Sequence, residues 1–309
     1  MKVVDLAYLF LYFCLKFFVF ILPNSALKAL SRGIARFAYL VNSNHRKIIK
    51  ANLRFCFPQK SESEITQITK EIYENFAKFG FEFLKRQNAT KDEIKELVSI
   101  DEMDILQRAF ESKRTIVFIT AHFGCWELMP FIFASYFGAI SIVTRTLDSA
   151  LMNDLLIKNR TKNFDVELID KVGGAKKMLL AIKKGRTLGI LPDQDAADSE
   201  SVVVEFFGKK VNWNCGASVI AKKVGAVLLP AFVYQKGDKY AVRCFEPMDA
   251  STHSKEELSA YQAKCCEEII SFHPSEYFFF HKRFKRFYNE IDTKHIDKSD
   301  FCIQNIDEK

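Results

Sequence analysis

A histidine and a glutamate lie five residues apart, directly after an apolar run that is typical of a buried strand. His122 follows the β-branched residues 115–120, and Glu127 lies where a helix is expected to begin. An imidazole can take up a proton near neutral pH, so His122 is a candidate general base. In a continuous helix this spacing would place the two side chains about 140° apart. Direct contact therefore requires His122 to lie in the loop before the helix.

The pair could work without a nucleophile supplied by the protein. Gly124 would let the backbone bend, so that a glutamate in the first helical turn reaches the ring. Its carboxylate would fix the tautomer and stabilise the imidazolium, while a substrate hydroxyl supplied the attacking oxygen. The alternative is a surface histidine beside a helix-capping glutamate.

Further polar residues follow other predicted strands. Arg145 ends the second strand and could bind a phosphate or the oxyanion formed when a thioester is attacked. Asp193, Gln194 and Asp195 follow the fourth strand and could orient a sugar hydroxyl or hold Arg145. A solvated arginine at a helix entry and an ordinary acidic turn are the alternatives.

Basic residues near aromatic ones form two more candidate binding sites. Lys209 follows a predicted exposed turn at residues 206–208 and could pair with phosphate or carboxylate, or simply be solvated. Residues 276–288 interleave aromatic and basic side chains, which suits stacked bases, a headgroup interface or a partly buried terminal element. Within this stretch Arg283 could close over the edge that carries His122.

These side chains need a sheet to bring them together. Apolar runs alternate with helical patterns, which predicts an α/β fold with a mostly parallel mixed sheet and helices on both faces. In such sheets chemistry belongs at the carboxyl ends of the strands. The predicted strands are residues 115–120, 139–144, 166–169, 187–191, 202–206, 227–234 and 240–245, the last two forming a hairpin around residues 236–238.

The first 22 residues are strongly apolar, interrupted only by Asp5 and Lys16 between residues 3 and 22. A cleaved signal peptide fits poorly, because the apolar region is too long and lacks a small-residue cleavage site. A spanning helix, an interfacial helix and a buried core helix remain as readings, and we favour an uncleaved membrane anchor. Basic residues that follow it predict a body on the cytoplasmic side.

The expected organisation is an anchoring hydrophobic helix at 1–22, one catalytic domain at 23–290 and a polar tail at 291–309. Within the domain, a helical part (23–112) precedes the α/β part (113–290). Of the 309 residues, 30 are phenylalanine and the net charge is +7, which suits anionic partners such as membrane phosphates, an acidic carrier protein or nucleic acid. The eight cysteines lack ligand-like spacing, so we expect reduced thiols, no metal and no cofactor.

Several motifs together resemble one family. Residues 122–127 resemble the H-x4-D/E box of the glycerolipid acyltransferase superfamily, and nearly the whole chain resembles the late acyltransferases of lipid A biosynthesis. The likeness includes the apolar N-terminal helix, and it extends over Thr144-Arg145, Asn153, Arg160, Gly173-Gly174, residues 191–195, residues 206–209 and residues 274–285.

The resemblance implies an enzyme that moves a fatty acyl chain from an acyl carrier protein thioester to a hydroxyl of a Kdo-linked lipid A precursor. It implies His122 as base with Glu127 as partner, at the cytoplasmic side of the bacterial inner membrane. Another glycolipid or lysophospholipid acceptor, or a non-catalytic membrane or carrier-binding protein, are the alternatives; nucleic-acid binding is disfavoured by the apolar N-terminus. The expected substrate-binding residues are Arg145, Asn153, Arg160, Asp193, Gln194, Asp195, Lys209 and Arg283.

Overall fold

A mixed β-sheet forms the centre of the chain. The computed structural model describes residues 3–147 and 149–290. In this part of the chain, short runs rich in β-branched and apolar residues form ten strands, because such side chains pack well on a pleated surface. They are β1 (Val98–Ile100), β2 (Ile116–Ile119), β3 (Ile140–Thr144), β4 (Val166–Asp170), β5 (Thr187–Ile190), β6 (Ser201–Phe206), β7 (Lys209–Asn214), β8 (Val227–Lys236), β9 (Lys239–Cys244) and β10 (Met248–Asp249).

Eight of these strands belong to one sheet. Seven lie in the order β1-β9-β8-β2-β5-β3-β4, and β10 pairs with β8. The pairs from β8 through β2, β5 and β3 to β4 are all parallel, whereas β9 and β10 run antiparallel to β8. The predicted mixed, mostly parallel α/β fold is confirmed, and so is the hairpin that β8 and β9 form.

Helices connect the strands and precede them. Several begin at a side-chain cap; Ser61 and Glu64, for example, form a capping box at the start of the longest one. The helices are α1 (Val3–Ile21), α2 (Asn24–Val41), α3 (Ser43–Cys56), α4 (Glu62–Lys85), α5 (Lys91–Leu97), α6 (Met103–Glu111), α7 (Met129–Tyr136), α8 (Ala150–Thr161), α9 (Ala175–Lys183), α10 (Gly216–Val224) and α11 (Lys255–Phe272).

Both faces of the sheet are covered by helices. Successive side chains of β2 point to opposite faces, as the period of two requires. Phe118 packs in a core with residues of α5, α6 and α7, whereas Val117 packs in a second core with residues of α9, α10 and α11. A third core joins α3 and α4 to β6, β7 and the segment after α11. The strand ends that carry the polar residues are thereby held between packed layers.

The N-terminal helices pack on the domain along one side only. Val19, Leu27 and Leu84 form a small buried cluster that joins α1, α2 and α4. The other side of α1 and α2 exposes large apolar side chains, including Phe10 and Phe37. Among the described residues, no helix combines the length and apolar character that a membrane crossing would require.

Some elements differ from the sequence-based expectation. Lys209 follows the turn at residues 207–208, as expected, but it begins β7, a strand that was not predicted and that pairs with β6 in a separate two-stranded sheet. The short strands β1 and β10 were not predicted. The helix expected from about residue 125 begins at Met129, because a 3-10 turn at Trp126–Leu128 comes first. The predicted polar tail at residues 291–309 lies outside the described residues.

A backbone clamp fixes the loop after β2. Gly124 has a φ of 56° and donates its N–H to the carbonyl of Glu276 at 2.9 Å. Phe278 donates its N–H to the carbonyl of His122, also at 2.9 Å. A Cβ on Gly124 would lie 1.9 Å from the carbonyl oxygen of Val233. Only glycine therefore fits at this position, which is the bend that the sequence predicted.

Gly124→Ala should lower the free energy of unfolding by about 2 kcal/mol or more, because it combines a positive φ with a backbone clash. Chemical denaturation measures the change. Gly33→Ala is the matched control: a Cβ there meets nothing within 4 Å on an exposed face of α2. That substitution should be neutral or stabilise by up to about 1 kcal/mol. Equal stabilities for both variants would show that the loop tolerates a side chain.

Candidate active site

His122 pairs with Asp193 at the carboxyl ends of two adjacent parallel strands. His122 follows β2 and Asp193 follows β5, and these strands pair in register at Ile119 and Ile190. The Nδ1 atom of His122 lies 2.9 Å from Oδ1 of Asp193, and the backbone N–H of His122 donates to Oδ2 at 3.2 Å. The Asp193 side chain is 1% exposed and that of His122 is 24% exposed. The buried carboxylate therefore fixes the ring, and Nε2 is the atom left to meet a substrate.

The two charges of this pair support each other. Burial alone would lower the pKa of His122, but the charge and the hydrogen bond of Asp193 outweigh it. Glu127 adds a smaller effect in the same direction, so that the pKa is raised above its ordinary value. Burial alone would raise the pKa of Asp193, but the ring and backbone N–H of His122 lower it. The pair thus favours an imidazolium beside a carboxylate, the charge state that a general base reaches after accepting a proton.

Glu127 does not occupy the position expected for it. Its carboxylate accepts two hydrogen bonds from the guanidinium of Arg160 in α8, one of them 2.8 Å long. Both side chains are largely buried, at 14% and 10% exposed. The 3-10 turn before α7 directs Glu127 towards α8, while Asp193 reaches Nδ1 of His122 from the neighbouring strand. The hydrogen bond expected between the ring and Glu127 is thus replaced by one in which the carboxylate of Asp193 accepts from Nδ1.

A cavity of about 620 Å³ opens beside His122. Its volume is in the range of small-molecule sites, which span roughly 300–1,000 Å³. Its wall combines the Glu127–Arg160 pair and other polar groups near the strand ends with a large apolar surface. The apolar part of the wall includes Phe118, Trp126, Met129, Pro130, Ile140, Ile142, Leu156, Met178, Ile190 and Ile220.

Most of the predicted polar residues lie around this cavity. Arg145, which is exposed, lines the cavity. Gln194 and Asp195 also line it. Asn153 does not belong to the lining of this cavity, and its side-chain oxygen accepts a hydrogen bond from the backbone N–H of Leu147 at 3.1 Å. Asn153 thus secures the loop that carries Arg145.

Two predicted residues lie away from the cavity wall. Lys209 stacks over Phe55, with its Nζ 5.2 Å from the ring centroid. Arg283 is 2% exposed, and its guanidinium lies 5.4 Å from the rings of both Phe206 and Trp213. Nη1 of Arg283 is 3.7 Å from Oδ1 of Asp195, which lines the cavity. Arg283 therefore interacts with the cavity wall through the charge of Asp195.

Sequence reasoning missed the residues that support the histidine from the C-terminal segment. The ring of Phe278 lies 6.2 Å from that of His122, and Nε2 of His281 accepts the backbone N–H of Asp195 at 3.0 Å. The density of aromatic residues marked this segment as unusual. Its pairing with the loop after β2 depends on tertiary structure that no local pattern encodes.

Comparisons of the sequence with known proteins point to one family. The sequence model of the family described as bacterial lipid A biosynthesis acyltransferase matches residues 1–286. The lipid A biosynthesis lauroyltransferase of Escherichia coli (strain K12) is 26% identical over 275 residues, covering 85% of this chain and 87% of that protein. The palmitoleoyltransferase of the same pathway and organism is 26% identical over 270 residues, covering 85% and 86%. The crystal structure of the 1-acyl-sn-glycerophosphate acyltransferase PlsC from Thermotoga maritima superposes with a TM-score of 0.40 at 13% identity, covering 80% of this chain and 97% of that one.

A histidine held by a buried carboxylate at the wall of a largely apolar cavity suits an enzyme that transfers an acyl chain. The chain belongs to the bacterial lipid A biosynthesis acyltransferase family. It is therefore an acyltransferase of lipid A biosynthesis, and the reaction of its family requires a glycolipid acceptor. The resemblance noted in the sequence is confirmed.

Asp193→Asn should lower the transfer rate by about 10³–10⁴-fold, because the ring loses its fixed tautomer and the imidazolium its counter-charge. A general base must be neutral to accept a proton, so with His122 in that role kcat/KM should rise with pH through the raised pKa of the ring. Removing the charge of Asp193 lowers that pKa. The midpoint of the pH profile of kcat/KM should therefore move to lower pH.

Two further variants make this measurement specific. Glu127→Gln should move the midpoint in the same direction but less, because its charge has the smaller effect on the ring. Asp238→Asn removes a carboxylate that is 81% exposed and paired with Lys28, and should leave the profile unchanged. A wild-type profile in Asp193→Asn would mean that Asp193 does not tune His122.

Proposed function

We propose that this enzyme transfers a fatty acyl chain from an acyl carrier protein thioester to a hydroxyl of a Kdo-linked lipid A precursor. The observation that carries the proposal is the His122–Asp193 pair, with the ring at the wall of the apolar cavity and its Nδ1 occupied by the carboxylate. Family membership supports the acceptor class. The named relatives transfer lauroyl and palmitoleoyl groups, which fits a cavity with a large apolar wall.

In the proposed reaction His122 acts as the general base. Its Nε2 removes the proton from the acceptor hydroxyl while the oxygen attacks the thioester carbonyl, forming a tetrahedral oxyanion. The carbon–sulfur bond then breaks as the carbonyl re-forms. The imidazolium returns its proton to the departing thiolate, which leaves as the carrier thiol. An ester of the acceptor is the product, and no covalent acyl-enzyme is needed.

Charged groups on the cavity wall have complementary roles in this proposal. Arg145 lies exposed at the wall and can meet the oxyanion or a phosphate of the acceptor. Glu127 acts on the imidazolium through its charge and holds Arg160 beside the cavity with two hydrogen bonds. Gln194 offers an amide to a sugar hydroxyl, and Asp195 joins the wall to the basic C-terminal segment.

The exposed apolar side of α1 and α2 is proposed to rest on the cytoplasmic face of the bacterial inner membrane. Phe10 is 73% exposed in α1 and Phe37 is 67% exposed in α2. Lys28, Arg32 and Arg36 belong to α2 and are basic, which suits anionic headgroups. Such a position would bring a membrane-borne acceptor to the same molecule that receives the carrier protein from the cytoplasm.

The test of the proposed reaction combines purified full-length protein, a Kdo-linked lipid A precursor and acyl carrier thioesters, with products weighed by mass spectrometry. The wild type should add one acyl mass to the precursor and release the carrier thiol. His122→Ala should lower the rate by about 10³-fold or more, since the base is lost.

His253→Ala is the matched control, because that histidine lies beyond β10 and is hydrogen-bonded to its own turn. It should transfer at the wild-type rate. Equal rates in both histidine variants would rule out His122 as the base. Transfer to a lysophospholipid and not to the precursor would reject the proposed acceptor.

Phe10→Asp and Phe37→Asp should each weaken binding to vesicles of phosphatidylethanolamine and phosphatidylglycerol by about tenfold, because each removes a buried aromatic contact with lipid. Cosedimentation measures the bound fraction. Phe272→Asp is the control, since Phe272 is 70% exposed but belongs to α11 and not to α1 or α2. Equal losses in all three variants would contradict binding through α1 and α2.

A further inference from the structure

The floor of the cavity is formed by residues of β2, β3 and β5, and one of them, Gly189, has no side chain. It lies within β5, where it pairs in register with Phe118 of β2 on one side and Ile142 of β3 on the other. All three residues line the cavity. Because neighbouring positions of parallel strands point to the same face, a residue without a side chain leaves a recess between Phe118 and Ile142.

The backbone does not require glycine at this position. Gly189 is not among the glycines with a positive φ, and it lies in regular parallel pairing. Glycine weakens the interior of a strand, and there it often marks a close approach of another group. A Cβ at Gly189 would lie 3.2 Å from Cγ2 of Ile142 and 3.4 Å from Cδ1 of Ile140. A methyl group would therefore fill the recess after small shifts of flexible side chains.

The recess lies deep in the cavity. The strands β2, β3 and β5 each contribute residues to the cavity lining. In each strand the lining residue furthest from the carboxyl end is Phe118, Ile140 and Gly189, respectively. His122 lies four residues after Phe118, which is at most about 13 Å along an extended chain. Met129 and Pro130 at the start of α7 also line the cavity, and α7 packs on the face of the sheet to which Phe118 points. This part of the cavity is a space between the sheet and a helix, with the catalytic histidine near its mouth.

The chemistry of the space selects one occupant. A phosphorylated sugar could not enter it without leaving charged groups unpaired in an apolar environment. An unbranched alkyl chain could, and in the proposed reaction the donor thioester must place its carbonyl beside His122. The chain attached to that carbonyl would extend from the histidine towards the recess.

We propose that Gly189 sets the length of the donor acyl chain that the enzyme accepts, because its missing side chain extends the cavity between Phe118 and Ile142. This inference rests on the proposed function. In it, Gly189 is a specificity-determining residue for the acyl donor. A side chain at this position would shorten the space available to the chain's methyl end.

The test is a competition among acyl carrier thioesters from decanoyl to octadecanoyl, with a Kdo-linked lipid A precursor as acceptor and products weighed by mass spectrometry. Gly189→Ala should reduce transfer of the longest chain that the wild type uses, relative to the next shorter chains, by about tenfold. Ile142→Ala enlarges the same recess and should shift the distribution towards longer chains. Gly80→Ala adds a methyl group in α4 where a Cβ meets nothing within 4 Å, and should leave the distribution unchanged.

The outcomes separate this inference from the proposed function. If the wild type transfers no acyl chain to the precursor, the proposed function fails. If it does, and Gly189→Ala keeps the wild-type distribution with an unchanged Tm, the inference is overturned. Should Gly189→Ala not fold, Ile142→Ala decides, because an unshifted distribution in that variant also overturns it. A uniform loss of rate for all chain lengths in Gly189→Ala counts against it too, since that result indicates general damage to the site.

Discussion

The site depends on an ion pair between side chains that follow two adjacent parallel strands. Because β2 and β5 pair in register, their carboxyl ends lie side by side, and the next residues of each chain segment meet. Asp193 is buried there and holds both the ring and the backbone N–H of His122. A buried carboxylate is costly unless it is paired. The same contact therefore stabilises the fold and sets the proton affinity of the imidazole, so neither can change alone.

Two other constraints give that pair its surroundings. The Glu127–Arg160 pair joins the start of α7 to α8 across the cavity, and a carboxylate so held cannot also reach Nδ1 of the histidine. Gly124 lets the loop after β2 bend tightly enough to form hydrogen bonds with the segment after α11. The apolar floor belongs to the sheet itself. A rigid sheet, two ion pairs and one tight bend thus define where a reacting atom can lie.

The sequence was sufficient to predict the α/β class and the cluster of polar residues at one sheet edge. It also predicted seven of the eight strands that have four or more residues, all except β7. Those predictions rest on periodicity, which local side-chain burial imposes. It was insufficient for the partner of His122, because the choice between Glu127 and Asp193 depends on strand order. The strand β7 was not predicted because its sequence is rich in polar residues and it is only half buried. Arg283 resembled a surface residue, although rings of Phe206 and Trp213 enclose it.

The clamp between the loop after β2 and the segment after α11 joins parts of the chain that are translated far apart in time. Phe123 and Tyr277 form an isolated bridge, and Asn52 of α3 donates to the carbonyls of Phe279 and His281. The sheet can assemble from earlier residues, yet the loop that carries the histidine lacks these partners until the ribosome has released the segment. A nascent chain would therefore hold the histidine loop without its clamp until residues 276–281 have emerged and folded against it.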